Sequence, residues 1–225
     1  MPGRTGMLVI AHRGAHAAVP ENTLAAFEAA VALGANGVET DVRISLDGLP
    51  VLVHDRITPA GPVAGLVRRD IEHAVGHEVP TLDEALEGFP GILWNIEIKT
   101  IQALFTVMEV IRRHEAGHRI LVTSFRHDVV ALCAASLKVN FGVLVAHRPR
   151  TPDSLLAYLG GNSNPRINHV VWDYEVIDGS LLEKAMMEGF RNFVYGPVTK
   201  DEHDHCRELG VDGVITDHPL LAQNM

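Results

Sequence analysis

Short runs of β-branched and apolar residues alternate with longer stretches of helical periodicity along the whole chain, the order that predicts parallel strands covered by helices. The first run, "MLVIA" at 7–11, leads into "ENTLAAFEAAVALG", an alanine-rich helix with Asn22 or Thr23 as its N-cap and Gly34 at its end. Further strands are predicted at "GVETDV" (37–42), "GILWNIEIK" (91–99), "RILVTSF" (119–125), "FGVLVA" (141–146), "HVVWDY" (169–174), "FRNFVYG" (190–196) and "DGVITD" (212–217). Helical segments such as "TLDEALEGF", "IQALFTVMEVIRRHEA" and "GSLLEKAMMEG" fall between them. The rhythm is that of a (β/α)8 TIM barrel, an α/β fold. An apolar run near Val51 makes a ninth candidate for eight places, so one strand must stand outside the barrel.

The stretch "VETDVRISLDGLPVLVHD" (38–55) identifies the extra strand. Between Val42 and Val51 there is no room for the crossover helix that a parallel neighbour requires, whereas "SLDG" suits a tight antiparallel turn. A turn centred there pairs residue 41 with 52 and 39 with 54. Side chains alternate across a strand, so Glu39, Asp41 and His54 are expected on one face. The region from about 56 to 79 then reads as a short insertion after this hairpin.

Composition changes the picture only by exclusion. At 225 residues with 47% hydrophobic and 21% charged positions, the chain can bury one sizeable core, and no Pro- or Ser-rich linker divides it; a single domain over 1–225 is expected. A net charge of −9 argues against a nucleic-acid partner or an anionic membrane face. Cys133 and Cys206 form no CxxC pattern, so neither a disulfide framework nor a zinc ribbon is indicated. The apolar run before His12 is too short for a signal sequence, and no stretch is long enough to cross a bilayer. The expectation is a cytoplasmic protein without membrane insertion; the oligomeric state leaves no trace in the sequence.

The chemistry lies in the charges that interrupt the strands. Burying a carboxylate costs several kcal/mol unless something compensates for it. Glu39 and Asp41, spaced i, i+2, form a rigid pair of hard oxygen donors of the kind Mg²⁺ or Ca²⁺ prefers. In "NIEIK", Asn95, Glu97 and Lys99 share a face and supply a third carboxylate. His12 and Arg13 follow the first strand at the barrel end where βα loops build active sites. Arg13 offers a planar fork for phosphate oxygens and Lys99 a point charge. With His12 and His54 as imidazoles, the set suits metal-assisted cleavage of a phosphodiester. "HDHC" (203–206) reads as part of an amphipathic helix rather than a metal site, Trp172 and Tyr195 are candidates for the mouth, and no serine-hydrolase elbow, Walker loop or dinucleotide fingerprint is present.

Across nearly its whole length the chain resembles the glycerophosphodiester phosphodiesterases, through "HRG", "PENT", E-x-D, D-G-x-x-V-x-x-HD, "PTLDEAL", "NIEIK", "TSF" and "GVDGVITDHP". The resemblance implies a TIM-type barrel that hydrolyses a small-molecule glycerophosphodiester to sn-glycerol 3-phosphate and an alcohol, with a divalent cation, Mg²⁺ or Ca²⁺. It implies His12 and His54 as the acid/base pair, Glu39, Asp41 and Glu97 as metal ligands, and Arg13 and Lys99 as phosphate contacts. Glu21 falls on a motif position with no role assigned. The compact 56–79 segment and Gly196–Pro197 depart from the family pattern, which leaves the alcohol open. Removal of a lysophospholipid headgroup and a non-catalytic binding module stand as alternatives.

Overall fold

Alternation along each strand decides which side chains enter the barrel. A computed structural model describes residues 6–150, 152–161 and 164–223. The chain begins with β1 (Leu8–Ala11), α1 (Leu24–Ala32), β2 (Gly37–Ile44) and β3 (Pro50–Leu52). An insertion follows, made of β4 (Ile57–Thr58), β5 (Gly61–Pro62) and α2 (Arg68–Val75). Then come α3 (Leu82–Gly88), β6 (Leu93–Ile98), α4 (Leu104–His114), β7 (Arg119–Ser124), α5 (His127–Ala134) and β8 (Asn140–Val145). The remainder is α6 (Pro152–Gly161), β9 (Ile167–Asp173), α7 (Gly179–Met187), β10 (Arg191–Tyr195), α8 (Lys200–Glu208), β11 (Gly213–Thr216) and α9 (Pro219–Ala222).

Eight parallel strands, β1, β2 and β6 to β11, close on themselves where β1 pairs with both β2 and β11. This is the (β/α)8 barrel that the alternation predicts, and β3 is the extra strand, antiparallel to β2. On β6 the outward residues Trp94, Ile96 and Ile98 join the layer between sheet and helices. The inward set begins with Leu93, which belongs to a second apolar layer with Ile10, Leu121, Leu144, Val171, Phe193 and Ile215. Above that plug, toward the C-terminal ends of the strands, the inward positions become polar.

Local signals set the element boundaries. Thr23 rather than Asn22 caps α1, accepting a hydrogen bond from the Ala26 N–H. Thr81 with Glu84, and Thr199 with Glu202, form capping boxes, so the "PTLDE" motif has a structural reason for its spacing. Gly14, at φ 83, lies against α1 so closely that a Cβ there would sit 2.7 Å from the Ala26 backbone. Gly37 is tighter still, with Leu93 O only 2.4 Å from where a Cβ would be.

The hairpin departs from the expected register by one residue. Val42 faces Leu52, Arg43 faces Val51 and Ile44 faces Pro50. The turn is one residue longer than expected, because the Ser45 N–H donates to Leu49 O and Gly48 takes a positive φ of 77. Residue 41 therefore does not oppose 52, and His54 is not the cross-strand partner of Glu39.

His169 is buried on β9, edge-on to Phe193, with Nδ1 2.6 Å from Asn168 Oδ1. Burial, with a smaller contribution from Arg191, lowers its pKa to about 4. As pH falls from the ordinary histidine value of about 6.5, the unfolded chain gains a proton that the folded chain refuses, so stability is lost between about 6.5 and 4. The loss attributable to this residue is up to about 3 kcal/mol, at 1.36 kcal/mol per pKa unit. Urea denaturation at pH 7.0 and 4.5 is expected to show a smaller drop in His169→Gln than in the wild type; equal drops would remove His169 as the cause.

Candidate active site

The polar upper interior is built from neighbouring strands. In the β2–β6 ladder Glu39 lies beside Asn95 and Asp41 beside Glu97, so all four side chains face inward as the alternation requires. Carboxylate oxygens of Glu39, Asp41 and Glu97 lie within 4.8 Å of one another, and all three residues are buried. Asn95 Nδ2 donates to Thr123 Oγ1 at 2.7 Å, while its Oδ1 is buried without a partner.

Two cations compensate for the acids. Lys99 Nζ stands 2.8 Å from Asp41 Oδ1 and 2.8 Å from Glu97 Oε1. Arg13, at a left-handed φ of 54, sends its main-chain N–H to Glu39 Oε2 at 3.1 Å and places Nε 3.1 Å from Asp41 Oδ2. Its Nη1 donates to both oxygens of Glu21 at 3.0 Å. Nη1 is thus already engaged, whereas Nε, though paired in charge with Asp41, is buried without a hydrogen bond, and Nη2 has no protein acceptor among the described residues.

Burial, then the charges of Asp41 and Glu97, push the Glu39 carboxyl well above the ordinary carboxylate range. Burial likewise raises Glu97. For Asp41 burial is the largest influence and acts upward, but Lys99, Arg13 and the Asn22 hydrogen bond together outweigh it and hold the group below its usual value. Three buried carboxylates against two cations leave a negative excess in the upper interior. Hard oxygens, a negative excess and the unpartnered Asn95 Oδ1 fit a divalent cation of the Mg²⁺ or Ca²⁺ type.

Both histidines reach the same pocket. His12 Nδ1 is 2.7 Å from Asp217 Oδ1, and its Nε2 is 3.9 Å from Glu39 Oε2. His54 arrives by a route other than the ladder: the chain leaves β3 after Leu52, the Val53 N–H donates to Asp41 O, and Arg43 donates twice to His54 O at 2.8 and 2.6 Å. His54 Nδ1 then meets Asp55 Oδ1 at 3.0 Å. In each ring a carboxylate occupies Nδ1, leaving Nε2 as the atom able to exchange a proton.

A pocket of about 230 Å³ brings together His12, Arg13, Glu39, His54, Glu97 and Lys99 on one side and Phe125, Leu144, Tyr195 and Ile215 on the other. Tyr195 therefore lies at the mouth as expected. Trp172 does not: it is fully buried outside the barrel lumen, donating to Asn192 Oδ1. In "HDHC", His203 is buried and satisfied by Thr199 O and Thr216 Oγ1, a packing role.

Asp217, His16 and Asn22 are missing from the sequence reading of the site. Asp217 lies just past β11, the position relative to its strand that marked His12, and could have been found on that ground. Its Oδ1 also meets His16 Nε2 at 3.0 Å, and the hydrogen bond to His12 is the first of the influences holding its carboxyl far below the usual range. Asn22, read as a cap candidate, instead donates to Asp41 Oδ2 and accepts from Thr40 Oγ1 and the Asp41 N–H.

The model of the glycerophosphoryl diester phosphodiesterase family matches residues 12–221. This chain belongs to that family. A glycerophosphodiester phosphodiesterase of Caldanaerobacter subterraneus subsp. tengcongensis is 31% identical over 245 residues, covering 97% of each chain. The solved glycerophosphodiester phosphodiesterase of Thermotoga maritima superposes with a TM-score of 0.85 at 25% identity, over 97% of this chain and 98% of that one. A phosphodiesterase of Oleispira antarctica, solved with the product sn-glycerol-3-phosphate, gives a TM-score of 0.83 at 24% identity, over 96% and 95% of the two chains.

Asn22→Ala is expected to destabilise the protein by about 2–3 kcal/mol, since it strips partners from buried Thr40 and Asp41 and puts alanine at φ 55. Chemical denaturation measures it; a change under about 0.5 kcal/mol, the range of neutral surface substitutions, would count against the clamp.

Proposed function

We propose that this phosphodiesterase hydrolyses glycerophosphodiesters to sn-glycerol 3-phosphate and an alcohol, with a divalent cation held by Glu39, Asp41 and Glu97. The observation that carries the reading is the meeting of three buried carboxylates with two carboxylate-backed imidazoles in one pocket. Membership of the family and the product named for the Oleispira antarctica relative support the substrate class. When bound, Mg²⁺ or Ca²⁺ polarises the phosphoryl oxygens and offsets charge that develops on them.

The chain's own residues do the rest. Arg13, through its free Nη2, and Lys99 attract the phosphate oxygens. One imidazole takes the proton from the attacking oxygen at its Nε2; the other gives a proton from its Nε2 to the departing alkoxide, so the proton count balances over the reaction. Asp217 and Asp55 keep each ring in the tautomer and rotation this exchange requires. The apolar wall of Phe125, Leu144, Tyr195 and Ile215 faces the ionic side and receives the carbon skeleton of the substrate.

Glycerophosphocholine and glycerophosphoethanolamine, assayed with Mg²⁺, Ca²⁺ or a chelator, are expected to be cleaved only with metal. His12→Ala and His54→Ala are each expected to lower kcat by about 10² or more, as loss of a proton-transfer group does. Full turnover in either variant would remove that histidine from the scheme, and binding without release of glycerol 3-phosphate would favour a binding module. An acyl-bearing lysophospholipid in the same panel separates headgroup removal from the assigned reaction. Asp217→Asn is expected to lower kcat by about tenfold with little change in KM, because it disturbs the orientation of His12 and not the cradle; an effect confined to KM would overturn the positioning role.

A further inference from the structure

A cavity lies at the opposite end of the barrel from the catalytic pocket. About 410 Å³ in volume, it is lined by residues at the N-terminal ends of the strands: Leu93 on β6, Arg119 on β7, Asn140 on β8, His169 on β9 and Arg191 on β10. Lys138 completes the wall. The basin and the catalytic pocket share no lining residue, and the apolar plug of the barrel interior separates them.

Its charge runs against that of the protein. Three cations, Arg119, Lys138 and Arg191, face one carboxylate, Glu115, whose Oε2 is already occupied by the main-chain N–H of Lys138 at 3.1 Å. None of the three cations forms an ion pair among the described residues. Both ring nitrogens of His118 face main-chain carbonyls, Nδ1 3.0 Å from His114 O and Nε2 2.8 Å from Leu86 O, so it is wall and not ligand. Asn140 and Asn168 are bound to each other at 3.0 Å, a polar edge of neutral amides. In a chain of net charge −9, a concave surface with a local excess of two positive charges and no internal anion to absorb it attracts a dianion.

We propose that the floor of the barrel is a second anion site, which takes a phosphate monoester through Arg119, Lys138 and Arg191. The volume exceeds what a bare phosphate fills and is that of an ordinary small-ligand cavity, so an organic body beside the phosphate fits against Leu93, Leu121 and Phe193. This inference does not depend on the reaction assigned to the upper pocket.

Calorimetric titration in low-salt, chelator-containing buffer tests it, with inorganic phosphate, sn-glycerol 3-phosphate, a hexose 6-phosphate and sulfate as probes. One-to-one binding of the monoesters is expected. Arg119→Gln combined with Arg191→Gln should weaken it by at least about tenfold, the consequence of removing charged partners. Lys99→Gln, in the other pocket, should leave it unchanged. The two arginines are exposed, and unchanged far-UV circular dichroism and phosphate-free turnover would verify that the double variant folds; Lys138→Gln provides an independent single test. Monoesters bound more tightly than inorganic phosphate assign a role to the organic body, and equal affinity assigns the site to the phosphate group itself. No binding below about 10 mM, on the affinity scale where 1 mM is already weak, would overturn the proposal. So would loss of binding in Lys99→Gln in place of the floor variants, or equal binding of sulfate and every phosphate as an adventitious ion only.

Discussion

The structure depends on a single electrostatic constraint, the enclosure of Glu39, Asp41 and Glu97 in one small volume with only Lys99 and Arg13 to offset them. Removing ions from water costs several kcal/mol each, and mutual repulsion adds to it. The barrel meets that cost by making the ladder inflexible. A one-residue slip of β2 against β6 would turn Glu39 and Asp41 outward into the layer of Val38, Val42, Ile96 and Ile98, where nothing could pair with them. Gly37, packed against Leu93 O without space for a Cβ, helps fix that register at the start of both strands. The acids are held in the interior because Lys99 bridges Asp41 and Glu97, Asn22 clamps Asp41 from behind, and the Arg13 main-chain N–H donates to Glu39.

A second tier of carboxylates follows from the first. Glu21 holds Arg13, Asp217 holds His12 and Asp55 holds His54, each from the edge of the pocket and each more exposed than the group it orients, apart from the trio itself. Side chains that must present one nitrogen to a substrate lose rotational freedom in advance, so little is left to lose when a ligand arrives. The arrangement also separates two tasks. Buried acids set the local charge, and exposed acids set direction; an exposed acid can change without stranding a charge in low dielectric.

Much of this was legible in the residues because period-two alternation carries both the fold and the site. "NIEIK" reads as Asn95 and Glu97 inward with Ile96 and Ile98 outward, and the ladder obeys it. The lack of room between Val42 and Val51 correctly marked β3 as the strand outside the barrel. What alternation does not carry is turn length. One further residue between Ser45 and Leu49 shifted the hairpin, and His54 reached the pocket only through a departure from the ladder that Arg43 stabilises. Asp217 escaped for a different reason: its partner His12 lies 205 positions away, and only closure of the barrel between β1 and β11 makes them neighbours. Asn22 escaped because its chemistry is identical to that of a helix cap, and the chain placed Thr23 in that office instead.

The pocket is also divided by strand. All its ionisable groups except Tyr195 come from β1, β2, the hairpin exit and β6, while Phe125, Leu144, Tyr195 and Ile215 come from the ends of β7, β8, β10 and β11. Phe125 and Tyr195 meet edge to face at 6.0 Å, and burial with the neighbouring Asp173 pushes the Tyr195 phenol upward, so this wall stays uncharged at physiological pH. A change at Phe125 alters the shape offered to an organic group without adding or removing a charge near Glu39. The reverse does not hold, since any change among the acids alters the field across the whole pocket. Variation in what the site accepts is therefore cheapest on the half of the barrel built from β7 to β11, which includes the loop after β10, where Gly196 turns at φ 87 directly after Tyr195.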